Sequence, residues 1–131
     1  MRPLRAPILL LVVGLAAATQ FGWLDNPSVG EADTCAAIGE VRVPPALADL
    51  YPTIDRIRLG RGNPHPSDGE TFFNRERRLP IKPGGYYREY VHPTPGVIGP
   101  GLRRVVRGCG GDLYFSPDHY RTFIPIGVPI R

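Results

Sequence analysis

The residues best suited to chemistry lie between Glu70 and Arg107, a stretch that holds eight basic residues and only three acidic ones. Within it, Gly85-Tyr86-Tyr87-Arg88-Glu89-Tyr90-Val91 places one carboxylate, Glu89, among aromatic and basic neighbours. Arginines interleaved with tyrosines suit a single-stranded nucleic acid, because the cations attract phosphates and the rings offer stacking surfaces. A carboxylate among them could accept a proton. Two plainer readings stand beside this one. The segment could be a solvated basic surface, and Glu89 a sheet-surface carboxylate paired with a nearby arginine.

These residues need a strand to position them. Read with a period of two, Tyr87, Glu89 and Val91 share one face, and Tyr86, Arg88 and Tyr90 share the other. Four segments read as short strands: Thr71–Phe73, Tyr86–His92, Leu102–Arg107 and His119–Ile124, with Leu113–Phe115 as a further candidate. Turn signals separate them at Lys82-Pro83-Gly84-Gly85, Thr94-Pro95-Gly96, Gly99-Pro100-Gly101 and Ser116-Pro117-Asp118. Before the strands, Leu47, Leu50, Tyr51, Ile54 and Ile57 recur at helical spacing after Pro44-Pro45. Pro52 should kink or split that helix near Tyr51, since its ring and missing N–H oppose an uninterrupted ladder. A helix region followed by consecutive strands predicts an α+β fold, the helix packed on one face of a small antiparallel sheet and the other face free for a site. The loop around His65 reads as solvated.

The chain of 131 residues has room for one domain of about 100 residues. Sixteen glycines and sixteen prolines predict a loop-rich fold with a modest core. At the N-terminus, Arg2 and Arg5 precede an apolar run from Ala6 to Ala18 that ends in small residues, the pattern of an export signal. The alternative is an uncleaved anchor over Ala6 to Leu24, just long enough to span a bilayer. Residues 1–24 are thus read as signal peptide or membrane anchor, 25–34 as a tail and 35–131 as the folded domain. Either reading places that domain outside the cytoplasm, secreted or membrane-anchored facing outward. There, the only two cysteines, Cys35 and Cys109, are expected to form a disulfide rather than a metal or redox centre. Closing the 74-residue span between them would stabilise the fold by roughly 4 to 5 kcal/mol in the chain-entropy model.

Several short motifs carry a resemblance. Phe72-Phe73-Asn74-Arg75-Glu76, Leu79-Pro80, Gly85-Tyr86-Tyr87-Arg88-Glu89-Tyr90, Thr94-Pro95-Gly96, Gly101-Leu102-Arg103-Arg104-Val105-Val106 and Asp118-His119-Tyr120 resemble, in order and nearly in spacing, the streptomycete guanyl-specific ribonucleases. These enzymes are related to barnase and to the fungal guanyl ribonucleases, and the match runs from about Cys35 to Ile126. The resemblance implies the microbial ribonuclease fold and a secreted endonuclease that cleaves single-stranded RNA 3′ to guanosine, giving a 2′,3′-cyclic phosphate. Such a reaction needs a base for the 2′-hydroxyl, an acid for the leaving oxygen and cations for the charge gathering on phosphorus. By resemblance Glu89 is the base, His119 the acid and Arg104 a phosphate-binding cation. Backbone N–H groups around Asn74 and Arg75 would meet guanine O6, and Glu76 would accept from N1–H and the exocyclic amine. Phe72 and Tyr120 would bracket the base or support the pocket, and Asn74 would hold the loop. Phe73 stands where relatives commonly have a polar residue. The other reading of Glu76 is an ion pair with Arg77 or Arg78.

The pattern departs from the family at Pro100, where the relatives usually carry a second phosphate-binding arginine. Arg103 is expected to face away from Arg104, and Arg88 away from Glu89, so neither replaces it. The alternative function is therefore a catalytically weakened or inactive guanine- or RNA-binding domain at the cell envelope. Single-stranded RNA is the expected partner and an intracellular inhibitor protein a further candidate. A monomer without metal or other cofactor is expected.

Overall fold

The computed structural model describes residues 35–127. The export signal or anchor of residues 1–24 and the tail of residues 25–34 lie outside the described residues. A 3₁₀ turn, Pro45–Leu50, leads into helix α1, Tyr51–Arg58. Five strands follow: β1 (Glu70–Phe72), β2 (Tyr87–Val91), β3 (Arg104–Gly108), β4 (Leu113–Ser116) and β5 (Ile124–Gly127). They form one antiparallel sheet in sequence order, so every connection is a neighbour-to-neighbour return.

The helix does divide next to Tyr51. Leu47 leaves helical geometry at φ −113°, ψ 20°, and Pro52 falls in the first turn of α1, where its missing N–H costs nothing. Leu50, Ile54 and Ile57 of the apolar stripe are buried, whereas Tyr51, expected in the core, is 43% exposed. The proline restart has turned it outward.

The helix packs on one face of the sheet in a core of Ile38, Leu50, Ile54, Ile57, Val105, Leu113, Phe115 and Ile126. Side chains alternate across a strand, so Val106 points the other way, joining Leu79 and Tyr87 in a second, smaller cluster with Phe72, Tyr114 and Tyr120. Cross-strand register fixes what else lies on that opposite face: Glu89 is opposite Val106, and Arg104 opposite Val91 and Ser116. The face not covered by the helix is the one that carries Glu89 and Arg104.

Two features hold this frame. Cys35 and Cys109 are bonded, and Ala36 N–H donates to the Cys109 carbonyl at 2.8 Å, which lays the N-terminal segment along the sheet. Gly111 allows this contact, since at φ +91° an added Cβ would lie 2.5 Å from the Ala37 carbonyl oxygen. On the other side, the buried Asp68 carboxylate accepts from Arg56 at 2.8 Å and from Val91 N–H at 2.8 Å, tying α1 and the long loop to β2.

One expected strand is not a strand. His119–Ile124 is mostly a turn, and the last strand begins only at Ile124. Its side chains compete for the backbone: Asp118 Oδ1 accepts from Thr122 N–H at 2.8 Å, and Ser116 Oγ accepts from Tyr120 N–H at 2.8 Å. The hydrogen bonds from Thr122, with those from Ser116 and the backbone, hold the Asp118 carboxyl below the usual range. His119 and Tyr120 are left at φ 56° and 72°. Conversely Leu113–Phe115, the further candidate, is a true strand with both apolar ends buried.

Candidate active site

A cleft of about 450 Å³ opens on the face opposite α1. Glu89, His119 and Tyr120 line one side of it, and Phe72, Phe73, Asn74, Arg75 and Glu76 line the other. Residues separated by up to 48 positions in sequence thus meet at one place. Arg104 is next to Tyr120 but is not part of the lining.

Glu89 sits mid-strand, half-buried, between the paired positions Glu70 on β1 and Val106 on β3. Its Oε2 accepts a hydrogen bond from the Tyr120 hydroxyl at 2.9 Å. Burial raises the Tyr120 hydroxyl well above the ordinary tyrosine range, and the Glu89 charge raises it further while Arg104 tempers the rise. Tyr120 is therefore a fixed donor. It orients the carboxylate through Oε2, and among the described residues Oε1 has no hydrogen-bond partner.

Arg104 is 7% exposed. Its Nη1 donates to the Gly101 carbonyl at 2.9 Å and the Arg103 carbonyl at 2.8 Å, with Pro100 at 3.4 Å, and its guanidinium carbon lies 5.9 Å from the Tyr120 ring centre. A buried cation held by carbonyls of one loop is a stiff electrostatic support. As expected, the other two arginines turn away. Arg103 binds Asp49 at 2.8 Å and the Pro93 carbonyl, and Arg88 binds Thr71 Oγ1 at 3.1 Å.

His119 is exposed at the rim, its N–H donating to the Leu102 carbonyl at 2.8 Å and its ring 4.9 Å from that of Tyr120. Two consecutive bulky residues at positive φ are costly and are kept only where the surroundings over-determine them. Here Ser116 holds the Tyr120 N–H and Arg78 donates to the Tyr120 carbonyl at 3.2 Å. The turn presents the imidazole to solvent and the phenol to Glu89.

The opposite wall is a loop closed on itself. Asn74, at φ 51°, donates from Nδ2 to the Leu79 carbonyl at 2.9 Å and accepts from Leu79 N–H at 3.0 Å. Buried Leu79 and a 2.6 Å bond from the Tyr87 hydroxyl to the Pro80 carbonyl anchor its far end. Burial, followed by the Asp112 charge, pushes the Tyr87 hydroxyl up to about 12, so it too stays a donor. Among the described residues, the N–H groups of Asn74, Arg75 and Glu76 have no protein acceptor. The loop presents donors next to the exposed Glu76 carboxylate, a pattern complementary to an edge carrying an acceptor beside N–H groups.

Phe72 and Tyr120 stack directly on each other, with centres 4.9 Å apart and planes at 28°. In this arrangement the two rings leave no gap for a base between them. Arg78 is the residue that sequence reasoning undervalued. It pairs with Glu76, as one reading of that carboxylate allowed, but it also lines the cleft and clasps the turn that carries His119 and Tyr120. The run Arg75-Glu76-Arg77-Arg78 was the signal, and nothing in it says which arginine reaches 42 residues onward.

The chain is similar to known proteins in sequence and in fold. A family described as ribonuclease matches residues 28–127. Guanyl-specific ribonuclease St of Saccharopolyspora erythraea is 42% identical over 81 residues, 62% of this chain and 77% of that protein. Guanyl-specific ribonuclease Sa of Kitasatospora aureofaciens is 39% identical over 82 residues, 62% of this chain and 82% of that protein. Among solved structures, ribonuclease Sa2 with guanosine-2′-cyclophosphate is similar with a TM-score of 0.58 at 43% identity, covering 68% of this chain and 91% of that one. Ribonuclease Sa2 with 3′-GMP gives 0.56 at 42% identity over 68% and 91%.

Proposed function

The chain belongs to the ribonuclease family, and from that premise we infer how its residues divide the work of a guanyl-specific endoribonuclease acting on single-stranded RNA. The enzyme cleaves 3′ to guanosine by transesterification. Glu89 Oε1 takes the proton of the guanosine 2′-hydroxyl, whose oxygen attacks phosphorus. The bond from phosphorus to the 5′-oxygen of the next nucleotide breaks as His119 gives that oxygen a proton, leaving a 2′,3′-cyclic phosphate. The step needs a group that can take a proton on one side of the phosphate and a group that can give one on the other. Arg104, next to Tyr120, stabilises the developing charge, and Tyr120 keeps Glu89 oriented through its 2.9 Å hydrogen bond.

Guanine is read by the loop of residues 73–76, its O6 by backbone N–H groups around Asn74 and Arg75 and its N1–H and amine by Glu76. The base lies over the ring pair of Phe72 and Tyr120. The observation that carries this reading is that Glu89 and His119 face one cleft whose other wall is that donor-rich loop.

We also propose that residues 35–131 are the exported catalytic domain, with 1–24 the signal or anchor. The Cys35–Cys109 bond supports an oxidising destination. A monomer fits a site built within one chain, and an intracellular inhibitor protein would protect the producing cell.

The test is cleavage of short oligonucleotides in the presence of EDTA, with products identified by mass. Cleavage after guanosine with a cyclic phosphate end is expected. Guanosine monophosphate binding without any cleavage at micromolar protein would favour the inactive binding domain instead.

A further inference from the structure

A second recess of about 300 Å³ lies on the far side of the guanine-reading loop, between that loop and the turn Lys82-Pro83-Gly84-Gly85. The two hollows share Phe73, Asn74 and Arg75, so they flank the same loop. Their chemistry differs. The catalytic cleft carries Glu70, Glu76 and Glu89, whereas the recess is lined by Arg75, Arg77 and Lys82 and by no acidic side chain among the described residues.

None of those three cations has a carboxylate partner among the described residues. Two of them sit over aromatic faces instead: Arg75 is 5.1 Å from the Phe73 ring centre, and Lys82 is 5.2 Å from that of Tyr86. Phe73 and Ile81 are 67% and 72% exposed and supply a flat apolar surface within the same recess. An apolar platform ringed by uncompensated cations is complementary to a nucleotide, with the base laid on Phe73 and Ile81 and the phosphate drawn to Arg77 and Lys82. Neither Glu89 nor His119 lines the recess, so it does not lie on the side of the scissile phosphate.

We propose that this recess is a subsite for a nucleotide 5′ to the cleaved guanosine, which would make the enzyme favour guanosine within a strand over guanosine at a 5′ end. The proposal rests on the reading of the neighbouring cleft as the guanosine site. It also gives a use to Phe73, a bulky apolar side chain left in solvent where its backbone alone serves the guanine.

The experiment compares kcat/KM on the dinucleotide GpC with that on the 5′-extended ApApGpC. The wild type should prefer the extended substrate at least tenfold, with a steeper salt dependence. In the double variant Arg77→Asn/Lys82→Ala, the preference should fall to within threefold while GpC turnover stays within twofold of wild type. Asparagine is chosen because residue 77 has φ 55°, a conformation it tolerates. Loss of two phosphate contacts should flatten the slope of log kcat/KM against log salt by about 1.4. A thermal melt matching wild type establishes that the variant folds.

An unchanged preference in the variant, an equal loss on GpC, or a wild-type gain only from 3′ extension would each overturn the subsite. If the wild type cleaves no GpC at all, the catalytic reading fails and not the subsite. In that case binding of fluorescent ApApdGpC against dGpC, in wild type and variant, still reads the recess.

Discussion

Restoring a cation at residue 100 should accelerate the enzyme. Pro100 is exposed, and its carbonyl lies 3.4 Å from Arg104 Nη1, so a side chain at this position starts beside the one buried cation of the site. The loop before it, Val97-Ile98-Gly99, offers no charge, and Ile98 is fully exposed. A guanidinium about 6 Å from the developing phosphorane charge, at an effective dielectric of about 20 to 40, contributes roughly 1.4 to 2.8 kcal/mol. That corresponds to about 10-fold to 100-fold in rate. Pro100→Arg should therefore raise kcat/KM on GpC at least tenfold, mostly through kcat, because the charge appears only in the transition state. Pro100→Lys should gain less, lacking the planar fork that grips two oxygens. Loss of the proline releases chain entropy in the unfolded state and should cost about 0.4 to 1 kcal/mol of stability, so urea unfolding accompanies the kinetics. Arg103 and Arg88 are held elsewhere, whereas Arg75 and Arg78 line the cleft and Arg78 also reaches the Tyr120 carbonyl. If Pro100→Arg folds normally and gains nothing while Arg78→Ala loses a hundredfold or more, Arg78 already supplies the charge and the deficit assigned to Pro100 does not exist.

Removing the Tyr120 hydroxyl with Tyr120→Phe keeps the stack on Phe72 but deletes the bond to Glu89, worth about 1.5 to 3 kcal/mol for a charged acceptor. Stopped-flow or steady-state kinetics should show kcat down about 10-fold to 150-fold with KM on GpC nearly unchanged. Reducing the Cys35–Cys109 bond, or Cys35→Ser with Cys109→Ser, should destabilise the domain by about 2 to 5 kcal/mol in denaturant titration, and mass spectrometry of unreduced peptides should find the pair joined. His92 is buried against Thr53 at 2.8 Å and Asp49 at 3.2 Å, and burial lowers its pKa despite the opposing bond from Asp49. Its contribution to stability is thus complete above the unfolded value near 6.5 and lost as pH falls through the lower folded value. The urea midpoint should drop between pH 7 and pH 5, and His92→Gln should flatten that dependence.

The sheet and its site face were legible because alternation needs only local sequence: Tyr87, Glu89 and Val91 on one side, Arg88 and Tyr90 on the other. The same parity placed Arg103 and Arg88 off the cleft. Pro52 signalled the break at Tyr51 but not that the restart would expose the tyrosine, which depends on how the new helix docks. His119 was found as a residue and misplaced as an element. The alternation after Asp118 looks strand-like, and what defeats it is a set of side-chain hydrogen bonds from Ser116, Asp118 and Thr122. The Tyr120–Glu89 bond and the reach of Arg78 to the Tyr120 carbonyl join residues 31 and 42 positions apart, and no local pattern encodes such pairings. Phe72 against Tyr120 is of the same kind.

In the proposed mechanism Glu89 and His119 act together at one guanosine. Its most direct test is kcat/KM on GpC for Glu89→Gln, His119→Gln and the double variant, each checked by thermal melt. Each single variant should fall at least a hundredfold, and the double should fall less than tenfold further, because a base and an acid serving one transition state lose their effect together. A folded single variant within tenfold of wild type, or losses that multiply in the double, would contradict it.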